Sequence, residues 1–411
     1  KSLLKDYTNK KLSFLQINEA VELIQEFYLV NDFFLAKVTL PEQEVVDGII
    51  YININEGKLD TKDPFVVKAN NLRLFKDILS DYLENALSTG VTKNGLERAL
   101  LNINDLPGIS AVSTIEPGVE EGSSKIILNV VEDDLVSGSI TLDNHGNRYT
   151  AKQRSTVKID VNNPSKIGDK LSITKTFNTG EKFDFSQFDY EVPLGQSGLK
   201  AFASASRLEF EIGKELKTNP VSLGNADTYE VGIKYPIQRT NNQSVFLRTS
   251  IEKKEIYNET TGVLTNDKTL ENAKIGFDFE GKNIFQESSL TGVSVSGIFG
   301  DLDLSKVNSD YLNDQRANGP KTHGDFNKVV LDFYHIHKFT DKINFKYYGS
   351  LQHASKNLDS SEKFSLGGVS GIRAYPSGEA SGDEGHKLSF EVQYDLSKPD
   401  MDFDLIGTLF Y

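Results

Sequence analysis

The chain has 411 residues, a formal charge of −14, 25 Phe, 16 Tyr, no Trp and no Cys. That length allows two or three domains. The absence of cysteine excludes a disulfide framework and a thiolate zinc site, and the acidic balance argues against a general nucleic-acid binder, which needs a basic surface to displace counterions. No apolar run approaches the roughly 18 residues of a membrane-spanning helix, which removes helical membrane proteins but not barrels, whose strands alternate and look weakly hydrophobic. The chain begins at Lys1, with neither an initiating Met nor the pattern of a signal peptide, so the expectation is a mature or trimmed chain.

Residues 1 to about 133 read as mixed helix and strand. Ile17, Ala20, Val21, Ile24 and Phe27 recur at helical spacing, and Ser13 with Gln16 three residues on resembles a capping box. Strands are expected over Phe34–Leu40 and, past Pro41 and the Asp47-Gly48 turn, over Ile49–Asn55, with Glu56-Gly57 as the stop. Glu42, Gln43 and Glu44 read as a solvated turn. A similar set follows. Ile78, Leu79, Tyr82 and Leu83 predict one helix; Thr92 caps another carrying Leu96, Ala99 and Leu100; strands Ile109–Ile115 and Lys125–Val131 flank Pro117-Gly118. The order helix, helix, strand, strand occurs twice, which predicts two related modules, 1–60 and 61–134.

From Leu135 the helical period disappears, and strand candidates of about ten residues follow one another between Gly, Asn, Asp and Ser clusters. Tyr229, Val231, Ile233, Tyr235 and Ile237 alternate with Glu230, Gly232, Lys234 and Gln238. Ala273, Ile275, Phe277 and Phe279 alternate with Lys274, Gly276, Asp278 and Glu280. Leu388, Phe390, Val392, Tyr394 and Leu396 alternate with Ser389, Glu391, Gln393 and Asp395. Period two puts each set on its own face of a sheet. A soluble sandwich would bury the apolar face, whereas a membrane barrel would turn it to lipid. The helix-free run of strands, the mixed charges of the polar faces and the aromatics near strand ends favour an antiparallel transmembrane barrel over 135–411.

Residues along almost the whole chain carry a family resemblance. AKVTLPEQEVVDGIIYININEGKL (Ala36–Leu59) is similar to the end of a first POTRA module, and LLNINDLPGISAVSTIEPGVEEGSSKIILNVVE (ending at Glu132) to the end of a second. LDNHGNRYT (Leu142–Thr150) resembles an opening barrel hairpin and NNPSKIGDKLSI (Asn162–Ile173) the next turn. YEVPLGQSG (Tyr190–Gly198) and YPIQR (Tyr235–Arg239) match later strand ends, and FSLGGVSGIRAYP (Phe364–Pro376) closes the series. Each motif is weak alone, and their order makes the signal. The chain thus resembles a two-partner secretion transporter, an outer-membrane protein of the superfamily that contains the barrel-assembly protein BamA.

The resemblance implies two small POTRA modules and a sixteen-stranded barrel, of which about thirteen strands can be counted here. An open edge in lipid would leave backbone groups unpaired, so a C-terminally incomplete barrel is expected, ending within the strand FDLIGTLFY. The family's first plug helix and the first strand of its first POTRA module are also expected to be missing. Phe33-Phe34 stands where the family has Gly-Tyr, and Ala374 stands between Arg373 and Tyr375 where it has glycine, which requires a negative φ at Ala374.

The loop at about 356–386 is the candidate site. Loops of this length are usually functional. Its motif residues are Gly367, Gly368, Gly371, Arg373, Tyr375 and Pro376. An arginine in a loop is ordinarily solvated. The resemblance implies instead that this loop folds back into the lumen and that Arg373 meets an acid on the inner wall. Alternation of Lys387–Leu396 points Glu391 inward, so an Arg373–Glu391 contact is expected, with a further acid expected beyond Phe410-Tyr411. A phosphate-cradling role for the glycines lacks a Lys-Ser/Thr pair or a following helix. His335 and His337 share a strand face, but Asp332 alternates away and no third ligand is evident, so a polar lumenal or interfacial pair is expected rather than a metal site. No nucleophile elbow is present.

The resemblance implies transport, not catalysis, with no cofactor and no nucleic acid. POTRA modules in the periplasm would capture a secreted exoprotein client by strand addition, with Phe34, Val38, Ile109 and Val112 at the candidate edges. The monomeric barrel, set in the lipid of a Gram-negative outer membrane, would pass the client unfolded to the cell surface. A barrel-assembly or insertion factor is the alternative on the same fold. A plain porin would not need residues 1–133.

Overall fold

The computed structural model describes residues 3–88, 90–120, 122–178, 180, 182–369, 371–397 and 405–411. The chain divides into two compact units, Lys1–Asp133 and Asp134–Tyr411.

The first unit opens with α1 (Phe14–Val30), whose N-terminus carries the expected capping box: the Gln16 amide donates to Ser13 Oγ at 3.3 Å and the Ser13 amide to Gln16 Oε1 at 2.9 Å. Ala20 and Ile24 are its buried residues. The strands that follow are shorter than the sequence suggests. β1 is Lys37–Thr39 and β2 is Asn53–Asn55, paired antiparallel with Val38 opposite Ile54. Phe34 lies in a turn, because the Phe33 amide folds back to the Tyr28 carbonyl at 2.9 Å and the Ala36 amide to the Phe33 carbonyl at 3.1 Å. Gln25 of α1 then staples β1, donating to the Ala36 carbonyl at 2.8 Å and accepting from the Val38 amide at 2.9 Å. Gln43 acts as a second staple across 43–51, with 2.7 Å bonds to both the amide and the carbonyl of Tyr51. Side-chain amides do the work that ladder bonds would do, which ends strand pairing early.

β3 (Lys58–Leu59) and β4 (Phe65–Ala69) run parallel to β6 (Ser123–Glu132), and β5 (Ile109–Pro117) pairs antiparallel on its other side. Two helices cover this sheet: α2 (Lys76–Leu87) and α3 (Lys93–Asn104), the latter capped by Thr92 Oγ1, which accepts from the Gly95 amide at 3.1 Å. Leu79, Tyr82 and Leu83 of α2 and Leu96, Ala99 and Ile103 of α3 follow the helical period into one core with Ile126 and Leu128. Among the described residues the order helix, helix, strand, strand is therefore seen once. The earlier stretch has one α-helix and a 3₁₀ turn at Lys5–Tyr7. Lys58 and Leu59, read from sequence as the end of the first module, pair with Ser123 and Ser124 of the later sheet. Asp60 ties this junction. Buried to 2% exposure, it accepts from the amides of Val119, Lys62 and Asp63, and the Val119 and Lys62 bonds hold its carboxyl down to about 2.

Among the described residues the second unit holds a sheet of thirteen strands, each paired antiparallel with the next strand of that sheet along the chain. They are β7 (Val136–Asp143), β8 (Arg154–Asn162), β9 (Lys170–Phe177), β10 (Phe183–Pro193), β11 (Lys200–Glu211), β12 (Leu223–Arg239) and β13 (Gln243–Thr260). Next come β14 (Val263–Lys282), β15 (Ser289–Asp303), β16 (Gly324–Lys338) and β17 (Ile343–Ala354). A small hairpin, β18 (Phe364–Ser365) with β19 (Ser381–Gly382), interrupts the run before β20 (Gly385–Asp395) and β21 (Ile406–Phe410) complete it. The final expected strand, FDLIGTLFY, is described from Leu405 only; Phe403 and Asp404 lie outside the described residues.

Burial in this sheet is inverted relative to a soluble protein. Tyr229, Val231, Ile233 and Phe277 are about half exposed, whereas Glu252, Lys268, Asn272 and Glu391 are each under a tenth exposed. The apolar face points away from protein and the charged face is covered, the arrangement that lipid on one side and a wet interior on the other would select. Two features break the expected pattern. A helix, α4 (Asn308–Gln315), sits in the β15–β16 connection, although no helix was expected after Leu135; six of its eight residues are polar, and the adjacent Tyr311 and Leu312 make no apolar stripe. The inner face also holds an apolar cluster of Leu270, Ile298, Leu302, Leu304, Phe326, Ala354 and Leu358, with Tyr311 of α4 packed against it.

Candidate functional site

The long loop between β17 and β20 lies on the covered, polar face. The β18–β19 hairpin gathers its base, with Phe364 opposite Gly382, and the Leu366 amide continues the pairing to the Ala380 carbonyl at 3.0 Å. The tip then folds on itself: Ile372 donates to the Leu366 carbonyl at 2.7 Å and Gly368 to the Tyr375 carbonyl at 3.0 Å. Such close backbone approach requires glycine. A Cβ at Gly367 would lie 2.1 Å from the Pro376 carbonyl oxygen, and Gly368 has a φ of +96°. Gly371 donates to the Gly368 carbonyl at 3.0 Å. These amides are spent on loop carbonyls, so the glycines form a fold rather than an anion cradle. Ser370 lies outside the described residues.

This fold presents Arg373, whose Nη2 donates to Glu391 Oε1 on β20, and whose guanidinium carbon stands 4.8 Å from the centroid of the Phe410 ring on β21. Glu391 and Phe410 are register partners, so acid and aromatic face share one spot on the inner wall. The Glu391 side chain is 5% exposed and that of Arg373 is 41% exposed. Ala374 is not among the described residues with a positive φ, so no glycine is needed there. Tyr375 is more than half exposed, and Pro376 receives the Glu379 amide at 3.3 Å. Beyond them, Ser377 reaches the β7–β8 connection: Asn147 Nδ2 donates to its carbonyl at 3.1 Å and its Oγ donates to the His145 carbonyl at 3.2 Å. The loop thus touches both the first hairpin and the last strands of the sheet.

Sequence reasoning missed how the loop's base is held. Lys254 of β13 and Lys328 of β16 each reach Glu362 at 2.6 Å, and Lys268 of β14 reaches Asp359 at 2.6 Å. The lysines sit at inward positions that alternation does identify, but both acids lie in irregular backbone where no period points anywhere.

His335 and His337 stack with ring centroids 6.5 Å apart, and His335 Nδ1 lies 2.8 Å from Thr291 Oγ1. Phe285, Tyr347 and Phe339 surround them. His335 is in register with Tyr347, and Tyr347 with Phe390, so the pair belongs to the outward aromatic face and not to the lumen. Asp332 faces the other way and binds Ser350 at 2.6 Å. Among the described residues no group of three or more potential ligands forms a metal site.

Of the candidate edge residues in the first unit, Phe34 is outside any strand and packs on the core, while Val38 and Ile109 are buried at 8% and 4% exposure. The side chains of Val38 and Ile109 are therefore turned into the protein, and that of Phe34 is partly covered. Val112 is 65% exposed on β5, and β5 pairs with β6 alone among the described residues.

A profile described as haemolysin secretion/activation protein ShlB/FhaC/HecB matches residues 122–406. The chain belongs to this family. Its members are transporters of two-partner secretion, set in the outer membrane with their POTRA domains facing the periplasm, and residues 1–57 match the ShlB-type POTRA domain. Among curated relatives, the heme/hemopexin transporter protein HuxB of Haemophilus influenzae is 26% identical over 412 residues, covering 100% of this chain and 71% of that protein. The outer membrane transporter CdiB of Dickeya dadantii is 23% identical over 398 residues, covering 93% of this chain and 67% of its own length. Among solved structures, CdiB from Escherichia coli superposes with a TM-score of 0.78 at 18% identity, covering 97% of this chain and 73% of that one. BamA from Haemophilus ducreyi gives 0.50 at 11% identity over 98% and 82% of the two chains. These likenesses show that the thirteen strands among the described residues have the fold of those barrels.

Proposed function

We propose that this two-partner secretion transporter captures one large exoprotein client through its POTRA region and passes it unfolded along the inner face of the barrel to the cell surface. The reading of the loop rests on one observation: a guanidinium carried by a glycine-folded loop is held against a buried carboxylate on an inner wall whose outer face is apolar. A charge-assisted contact of that kind is strong enough to fix a conformation and exposed enough at Arg373 to be released. Gly367, Gly368, Gly371, Tyr375 and Pro376 shape the tip, and Glu391 is its inner-wall partner.

Client capture would use the edge of β5 past Ala111, whose amide and carbonyl are taken by the Asn104 side chain, with Val112 as an exposed apolar side chain there. The apolar outer face contacts outer-membrane lipid, and the barrel acts as a monomer. The first unit is read as two POTRA modules, and the pairing of Lys58–Leu59 with β6 supports a boundary near Gly57 rather than at 60.

The test is a secretion assay with Arg373→Ala. The variant should insert into the outer membrane at normal abundance and release no exoprotein. Wild-type secretion by an inserted Arg373→Ala barrel overturns the proposed role.

A further inference from the structure

The base of the Arg373 loop is fastened by charges that are separate from Arg373 and better buried. The Glu362 side chain is 4% exposed and takes Lys254 on one oxygen and Lys328 on the other, each at 2.6 Å. Its carbonyl oxygen also accepts from Lys328 Nζ at 2.9 Å and from Gln352 Nε2 of β17 at 3.0 Å. Three residues earlier, Asp359 is 10% exposed and takes Lys268 at 2.6 Å. Between β17 and these acids, Leu358 is inserted in the inner apolar cluster at 2% exposure. The wall charges behind them are matched: Glu252 receives Lys254 at 3.2 Å and Lys274 at 2.6 Å, and Lys274 also reaches Glu230 at 3.5 Å. Four lysines face four carboxylates, so the loss of one acid leaves a buried cation without its counter-charge.

We propose that Asp359 and Glu362 are positioning residues that tether the loop's base to β13, β14 and β16, so that the tip leaves Glu391 while the base stays on the wall. The proposal rests on reading the loop as the moving element of transport. The physical ground is the contrast in burial. Breaking a desolvated pair strands a charge in a dry site, whereas a pair with one solvent-exposed partner exchanges with water at small cost. The Arg373–Glu391 pair, at 41% and 5% exposed, can be reached by water at Arg373 and is the more releasable contact; the Lys328–Glu362 pair, at 8% and 4%, is covered on both sides and is the fixed one. The base also makes its contacts over a wide stretch of wall, to strands on both sides of β15, while the tip's charged contact is to one strand.

Trypsin distinguishes the two anchors, because the loop carries Lys356 and Lys363 in its base and Arg373 in its tip. In the reconstituted full-length transporter, Glu362→Gln should raise cleavage after Lys356 and Lys363 about tenfold, since cleavage tracks the population of the opened segment. Glu391→Gln should raise cleavage after Arg373 and leave the base sites as in wild type. Removing both charges in Glu362→Gln with Lys328→Gln should restore part of the base protection, a coupling that a generally loosened barrel would lack. Folding is followed by heat-modifiable gel mobility, and Asp359→Asn, which loses the ion pair to Lys268 and can keep the bonds from Ser361, serves if Glu362→Gln does not fold. Ion current in KCl across planar bilayers gives the second readout, with more frequent opening expected for Glu362→Gln. The proposal is overturned if both variants expose the same sites, or if the base stays protected. A base that opens with wild-type current overturns the positioning role alone; the transport reading is tested separately by secretion with Arg373→Ala.

Discussion

Arg373 and Glu391 meet across 18 residues of chain, and Phe410 supplies the face on which the guanidinium rests. The contact combines a charged hydrogen bond with a ring stack, and the two parts separate by substitution. Arg373→Lys keeps the charge but loses the planar fork and most of the stacking, worth about 0.5–1 kcal/mol. Arg373→Ala loses both and strands Glu391, at about 1–3 kcal/mol of loop docking. Protection of the tip from trypsin, measured beside Glu391→Gln in a double-mutant cycle, should rank wild type, Lys and Ala in that order. Equal protection in the Lys and Ala variants would remove the role given to Phe410.

Gly368 offers a cleaner backbone test. Its φ is +96° and a Cβ would come within 2.5 Å of Ser377 Oγ, whereas Gly195 has a φ of +72° with nothing within 4 Å. Gly195→Ala should cost about 1 kcal/mol of left-handed strain alone. Gly368→Ala should cost more, and it should loosen the tip at Arg373, because Ser377 is the residue bound to the first hairpin. Site-resolved proteolysis of the two variants decides it: equal effects at Arg373 count against the glycine fold as the device that aims the arginine.

The inverted burial of the sheet predicts asymmetric tolerance to charge. Phe277 points outward and is 48% exposed. Phe277→Arg should weaken folding into bilayers by about 2–4 kcal/mol, the range for a cation deep in the apolar band. Ser296→Arg, on the inner face in register with Gly276, should cost much less. Urea titrations in lipid vesicles measure both. Similar losses for the two would mean that the outward face does not meet lipid.

Asp60 predicts a pH dependence in the first unit. Its carboxyl is held down to about 2, chiefly by the Val119 and Lys62 amides, against about 3.9 in an unfolded chain. The folded value is depressed, so the contribution is fully present above about pH 4 and is lost as pH falls through about 2. Asp60→Asn should therefore destabilise the 60–64 and 117–120 segments at neutral pH and flatten their stability between about pH 4 and 2. Hydrogen exchange corrected for intrinsic rates reads this; a neutral-pH profile unchanged by the substitution would contradict it.

Much of the fold was legible in the sequence because it rests on short-range periodicity. The α1 capping box, the Thr92 cap, the apolar stripes of α2 and α3 and the two-residue alternation of the barrel strands are each written within a few neighbouring residues. Phe34 was misread for the opposite reason, although Val38 lies in β1 as expected. Gln25 and Gln43 end the strand pairing around them through side-chain bonds that no pattern announces. The helix α4 was invisible because its two apolar-bodied residues, Tyr311 and Leu312, are adjacent and set no helical period.

For the site, the sequence alone determined the place of Glu391, since period two decides which face a strand residue takes, and it singled out Arg373 through its glycine-rich setting. The order of weak motifs determined the family. Tertiary structure decided what the lumen contains. Lys254 finds Glu362 across 108 residues and Lys268 finds Asp359 across 91, with both acids in loop backbone that has no period. It also decided that His335 and His337 belong to the outer aromatic face, because a strand pattern gives alternation without saying which side meets lipid until its neighbours fix the register.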